Sequence, residues 1–198
     1  MKKSVSFLVA GILSAMSVIP ASAHEAHEHG TAHMNLTVEG ARIEIELETP
    51  LANLISFEHA PATEAQEKEV RDMAAALRKT DSLFIFPAAA RCRLEKMALA
   101  SEVISAALLA ASEEAADTAA KAGAGKAISH EEEKEGEETH ADLDMEMSFL
   151  CQDPGKLDQL EIGMFGVFPR LIEIEVQMLT PKGQGATSLG KDSKRIQW

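Results

Sequence analysis

Histidines are concentrated near the start of the chain. Four of the seven fall within ten residues. Neutral imidazole is the commonest protein ligand for zinc, and it also binds copper and nickel. The cluster therefore predicts a metal site, with a solvated polar tail as the alternative. The predicted ligands in this segment are His24, His27, His29 and His33.

A carboxylate for the same site is predicted from the pairing of the next two segments. If the histidine segment extends a first β-strand, His27, His29 and His33 share the outward face of that strand. A hairpin then brings His33 opposite Glu46 or Glu48. Three imidazoles and a carboxylate, which we assign to Glu46, form a zinc-binding set.

Three further histidines are candidate ligands outside the cluster. His59 lies just before a helix start, where the helix dipole favours the neutral ring; the alternative is a hydrogen-bonded structural residue. His130 and His140 flank a run of glutamates, which predicts a weak site for a divalent cation. An ordinary solvated acidic surface is the alternative for that run.

The two cysteines, Cys92 and Cys151, predict one disulfide if the chain is exported, with two buried free thiols as the alternative. A bridged pair argues against a cysteine nucleophile. The sequence also has no phosphate-binding glycine loop, no HExxH and no GxSxG motif. We therefore expect a protein that is not an enzyme.

The first 23 residues are typical of a signal peptide. Lys2 and Lys3 precede an apolar stretch over 5–19, and cleavage is expected after Ala23. An uncleaved membrane anchor is the alternative, but the stretch is short for a membrane span, so we expect no stable membrane insertion after cleavage. A net charge of −13 and the absence of tyrosine argue against nucleic acid as a partner and favour cations.

The remaining residues, 24–198, predict a single α+β domain with antiparallel strand pairs and two helices. Alternation over 32–48 predicts the hairpin, and a two-residue turn pairs Leu36 with Ile43. A capping box at Thr63–Gln66 begins a helix that runs to about Lys79. A second helix is predicted from Pro154 to about Phe165. An Ala/Glu-rich insertion at about 101–140 is expected to be flexible, with a helix over its Ala-rich part (Val103 to Ala122) as the alternative there.

Later segments predict further strands, from Ser82 to Phe86, from Arg91 to Ala100 with a bulge, and from Leu143 to Cys151. Two more are expected at Leu171–Met178 and Ser193–Trp198, the last entered through Gly183-Gln184-Gly185. Strand order is left open by the spacing.

Short motifs distributed over this domain resemble the ZrgA-like family of periplasmic zinc-binding accessory proteins. The resemblance is based on the order of these motifs along the chain. It also includes Cys92 on its predicted strand, the charged, histidine-containing insertion at about 101–140 and the hydrophobic strand at the end of the chain. The motifs are HEHGTAHMNLTVEGARIEIELETP, FEHAP, LDMEMSFLCQDP, MFGVFP and VQMLTPKGQG.

The resemblance implies a periplasmic location and zinc binding linked to an ABC-type zinc importer and its solute-binding protein. At the positions that match the family, the resemblance implies that His27, His29, His33 and His59 are ligands, together with residues of the insertion. The insertion is Glu-rich here, whereas that of the family is typically His-rich. We therefore expect Zn²⁺ as the bound ion and a role in buffering or delivering it. The alternatives are a copper or nickel chaperone, or an envelope interaction module that binds no metal.

Overall fold

A computed structural model describes residues 28–110 and 141–198. These residues form two β-sheets and four short helices. The strands are β1 (Thr31–Glu39), β2 (Arg42–Pro50), β3 (Phe84–Ile85), β4 (Cys92–Ala100), β5 (Asp142–Cys151), β6 (Gln159–Ile162), β7 (Glu173–Thr180), β8 (Gly183–Gly190) and β9 (Arg195–Gln197). The helices are α1 (Glu64–Leu77), α2 (Thr80–Leu83), α3 (Ala106–Ala110) and α4 (Met164–Val167).

The main sheet has six strands in the order β4-β5-β2-β1-β7-β8. All neighbours are antiparallel except β1 and β7, which are parallel. The small sheet has the order β3-β6-β9 and is antiparallel. Because β1 lies between β2 and β7, the strand that carries His33 has a glutamate-bearing neighbour on each side.

Strict alternation gives the main sheet one buried and one solvated face. In β2 every second residue from Ile43 to Leu47 is at most 2% exposed, and the glutamates between them are exposed. Helix α1 and the small sheet contribute side chains to the same core, where Phe84 and Phe86 pack against Phe149 of β5. We call the buried side of the six-stranded sheet the inner face and the solvated side the outer face.

The predicted hairpin and first helix are confirmed. Thr63 caps α1 by accepting the N–H of Gln66 (3.3 Å), and the Gln66 side chain accepts the N–H of Ala62 (2.8 Å). The hairpin register differs by two residues from our prediction, since Leu36 lies opposite Ile45 and the turn is Gly40-Ala41. A shift of two preserves side-chain parity, so the predicted face remains correct.

The predicted bulge and disulfide are also confirmed. The register between β4 and β5 shifts between Leu94 and Lys96. Cys92 and Cys151 lie directly opposite each other on these strands and are disulfide-bonded.

The predicted fold class is wrong. The described residues are predominantly β-sheet, with four short helices in place of two and one parallel strand pair. The segment predicted as a second helix contains a 3₁₀ turn (Pro154–Lys156), strand β6 and helix α4. Strand β8 was not predicted, because its small, neutral residues show no apolar alternation.

The predicted insertion also differs where the structure describes it. Residues 101–110 contain α3, with Ile104 and Leu109 in the core at 3% and 2% exposure. Arg78, at the end of α1, donates to the carbonyl of Leu109. These residues belong to the folded domain, and residues 111–140 lie outside the described part. Within the described residues, no helix has the length and apolar character needed to span a membrane.

Candidate metal centre

The sequence-predicted ligands do not converge on one point. Of the eight metal candidates, the structure describes four, which are His29, His33, Glu46 and His59. Among the described residues, no three His, Cys, Asp or Glu side chains meet in a metal-holding group. His24, His27, His130 and His140 lie outside the described residues.

His29 lies in the turn that precedes β1 and does not share the strand face of His33. Its Nε2 is 3.1 Å from both carboxylate oxygens of Glu58, which forms a charged pair when the ring is protonated. Glu58 also accepts the N–H of Ala52 (3.4 Å). Glu58 is therefore a site residue that our prediction missed, although the FEHAP motif contains it.

The turn that holds His29 is fixed by a buried asparagine. Asn53 is 2% exposed; it accepts the N–H of Gly30 (2.6 Å) and donates to the carbonyl of Thr31 (2.8 Å). Gly30 has φ +93°, and a Cβ there would lie 2.9 Å from Cδ1 of Ile172. Because only glycine adopts this conformation without strain, it is needed where the chain enters β1.

His33 lies on the outer face, within a row of carboxylates that crosses four strands. Its Nδ1 is 3.4 Å from Oε2 of Glu175 on β7, and Glu48 of β2 lies opposite it on the other side. Asp144 of β5 lies opposite Glu48. We call Glu175, His33, Glu48 and Asp144 the acidic row.

Burial and neighbouring carboxylates perturb one member of the acidic row, Asp144. Burial raises the pKa of Asp144 above its ordinary value of 3.8, and repulsion from Glu48, Glu102 and Glu146 raises it further. Like charges that raise a carboxyl pKa in this way also attract a cation, since either a proton or a metal ion relieves their repulsion.

Glu46 lies one row away from His33. It is opposite Asn35 of β1, whose Nδ2 is 3.4 Å from Oε2 of Glu46, and opposite Glu146 of β5. The β2 carboxylate next to His33 is thus that of Glu48, two residues after the assigned Glu46. Glu175, on the other side of His33, was missed because the parallel pairing of β1 with β7 was not predicted. The Ile-Glu-Ile-Glu sequence at 172–175, which repeats that at 43–46, indicates a strand with outward glutamates but does not indicate its place beside β1.

His59 takes part neither in the contact of His29 with Glu58 nor in that of His33 with Glu175. Its ring packs against Phe57 with centroids 5.1 Å apart, and its Nδ1–H donates to the carbonyl of Ala60 (2.9 Å). When the ring is neutral and Nδ1 carries the proton, Nε2 keeps its lone pair and is the atom that can bind a metal. His59 therefore fits the alternative of a hydrogen-bonded structural residue, and its Nε2 is still able to bind a metal.

These features define a β-rich protein whose main sheet presents an acidic, histidine-bearing outer face. A sequence model of ZrgA family zinc uptake proteins matches residues 26–198. The chain therefore belongs to the ZrgA family of zinc uptake proteins, as its motifs indicated. None of the curated proteins is significantly similar to it.

Proposed function

We propose that this is a non-enzymatic zinc-binding protein that buffers or delivers zinc in the periplasm, as an accessory to an ABC-type zinc importer. Family membership over residues 26–198 supports the link to zinc uptake. The proposed partner is the solute-binding protein of the importer. The signal-like first 23 residues support export.

The acidic row is the observation that carries the proposal. Its four side chains occupy adjacent strands, which are spaced about 4.8 Å apart in a sheet. One imidazole between carboxylates supplies nitrogen and oxygen donors, both of which zinc accepts. The side chains of His33 and Glu175 are 40% and 57% exposed, so an ion held there can be loaded and released from solvent.

Two strands of the main sheet begin just after sequence segments that carry the other predicted ligands. β1 begins at Thr31, just after the N-terminal histidine segment, and β5 begins at Asp142, just after His140. Both strands begin at the same end of the sheet, because both pair antiparallel with β2: His33 of β1 lies opposite Glu48, and Asp142 of β5 lies opposite Pro50. We assign His24, His27, His130 and His140 as additional ligands that raise the zinc capacity of this end.

Calorimetric titration of the exported protein with zinc tests the proposal. We expect His33→Ala to weaken the tightest zinc-binding event at least about tenfold, because it removes the only nitrogen of the acidic row. Asn35→Ala is the matched control, since it truncates the next outward residue of β1 and removes no metal-binding group. The control should bind zinc as the wild-type protein does.

Three outcomes would contradict parts of the proposal. Unchanged zinc affinity in His33→Ala would place the tight site elsewhere, and His29→Ala and His59→Ala would then locate it. Tighter binding of nickel than of zinc, or a preference for copper beyond that which nitrogen and oxygen ligands give to any site, would favour a chaperone for that metal. If the protein binds zinc no more tightly than a scrambled His/Glu peptide does, the remaining alternative is an envelope interaction module that binds no metal.

A further inference from the structure

The two edges of the six-stranded sheet differ in how they are protected. Edge strands expose unpaired backbone groups, and proteins prevent unwanted pairing with charges, irregular geometry or covering segments. Strand β4 has such protection, since it carries Arg93, Glu95 and Lys96 and a register shift in the same region.

Strand β8, at the other edge, has none of these features within the part of the chain that the structure describes. Its sequence GQGATSLG contains no charged residue and no proline. It pairs with β7 in unbroken register from Gly190 opposite Glu173 to Gly183 opposite Thr180. Its first six residues are exposed, and among the described residues only the bridge between Gly190 and Ser193 adds to that pairing.

The hydrogen-bond pattern shows which backbone groups face outward. The N–H groups of Ile172 and Glu173 both donate to the carbonyl of Gly30 (2.7 and 2.9 Å). Gly190, which lies opposite Glu173, donates its N–H to Ser193 (3.0 Å) and not to β7, so the next residue of β7, Ile174, is the one that faces β8. Ile174 lies opposite Leu189, and facing residues alternate along antiparallel strands. The N–H and C=O groups that point away from β7 are therefore those of Gln184, Ala186 and Ser188.

We propose that the β8 edge is a docking site for an extended segment of a partner protein, which adds a seventh strand to the sheet. Lys182 and Lys191 directly flank β8, one at each end. A neutral strand with a lysine at each end is complementary to an extended segment with a carboxylate near each of its own ends. This partner surface lies beside the acidic row, since Ser188 of β8 is opposite Glu175, but it includes none of the four residues of that row.

A second copy of this chain is a poor occupant of the same edge. Antiparallel self-pairing that sets Gly183 against Gly190 places Lys182 of each copy against Lys191 of the other. Like charges directly opposite each other destabilise a strand pair.

Amide hydrogen exchange with a model peptide tests the docking site. The probe is a peptide of alternating threonine and valine that has the length of β8, with a glutamate added at each end. Both of its termini are capped, so the two glutamates carry its only charges. At saturating peptide, the amides of Gln184, Ala186 and Ser188 should exchange more slowly. The amides of Gly185 and Thr187, already bonded to β7, should not change. No slowing at the three outward amides would overturn the proposal.

Charge reversal tests the recognition at the two ends. A peptide with lysine in place of each glutamate should bind about fivefold more weakly, the range expected for two exposed ion pairs. The double variant Lys182→Glu/Lys191→Glu should reverse this preference. Equal binding of both peptides by the wild-type protein would refute the assigned carboxylates.

A proline variant separates docking from folding. Ala186→Pro removes an outward N–H that is outside the β7 ladder, a position at which edge strands tolerate proline. We expect peptide affinity to fall about tenfold, which corresponds to about 1.4 kcal/mol of binding free energy. The thermal midpoint should change little. If this variant does not fold, the wild-type exchange pattern still decides the question. A wild-type dimer that the variant converts to a monomer would show that β8 pairs with its own copy and would overturn the proposal.

Discussion

The inner and outer faces of the main sheet are built from the same strands but have opposite properties. On β1, Met34 is 1% exposed in the core, whereas its neighbour His33 belongs to the acidic row. On β2, Ile45 is fully buried and Glu46 is exposed. Fold stability therefore resides on the inner face and cation attraction on the outer face. Substitutions on the two faces should have separable effects.

The largest expected effect is on the inner face. Ile45 lies between Leu36 and Met147 on neighbouring strands and is 0% exposed. Ile45→Ala should lower the free energy of unfolding by about 2–5 kcal/mol, because it leaves a cavity in the core. Denaturant unfolding measures the loss, and zinc titration of the folded variant should match wild type.

The adjacent outward residue supplies the control for that experiment. Glu46→Ala truncates an exposed side chain of the same strand and should change the unfolding free energy by less than about 0.5 kcal/mol. A large loss of zinc affinity in Ile45→Ala, or a large loss of stability in Glu46→Ala, would show that the two faces are coupled.

The disulfide provides the next largest effect on stability. Cys151 is 2% exposed on the inner side of β5, and its bond to Cys92 fixes the start of edge strand β4. The double variant Cys92→Ala/Cys151→Ala should lose about 2–4 kcal/mol of unfolding free energy, since the unfolded chain is no longer cross-linked. Zinc affinity should persist, because His33 and Glu175 lie on β1 and β7, away from this edge. Reduction of the wild-type protein should reproduce the loss, and an unchanged unfolding midpoint after complete reduction would contradict this account.

The parts of the fold that were predictable are those set by short-range patterns. Strict alternation identified β1, β2 and β5, and the capping box at Thr63 located the start of α1. The buried residues of α1 follow the helical spacing of its apolar side chains, namely Val70, Met73, Ala74 and Leu77. In each case the residues that define the element are close together in sequence.

The parts that were not predictable depend on contacts between distant segments. The parallel pairing of β1 with β7 joins residues about 140 positions apart, and no local pattern specifies it. Glu175 was missed for this reason, although its own strand was expected. The displacement from Glu46 to Glu48 beside His33 follows from the hairpin register, which the position of the turn decides. His29 was misplaced because Gly30 turns the chain before the strand begins.

The smallest expected effect tests the electrostatics of the outer face. In the folded protein, burial and neighbouring carboxylates raise the pKa of Asp144 above 3.8, so its ionised form destabilises the fold. Asp144→Asn should therefore slightly raise the thermal midpoint at neutral pH. This advantage should shrink as the pH falls through the raised pKa, and it should vanish below 3.8, where the wild-type side chain is protonated in both states.

The same variant should have the opposite effect on zinc. Removing a carboxylate from the acidic row relieves repulsion in the metal-free protein but removes attraction for the ion, so zinc affinity should fall while stability rises. Asp158→Asn is the control, because Asp158 is exposed in the loop before β6 and lies outside the outer face. Thermal unfolding from pH 3 to pH 8, with and without zinc, measures both effects. A lower midpoint for Asp144→Asn at neutral pH without zinc would mean that hydrogen bonding by the carboxylate outweighs repulsion in the acidic row, and that the row does not concentrate negative charge as we infer.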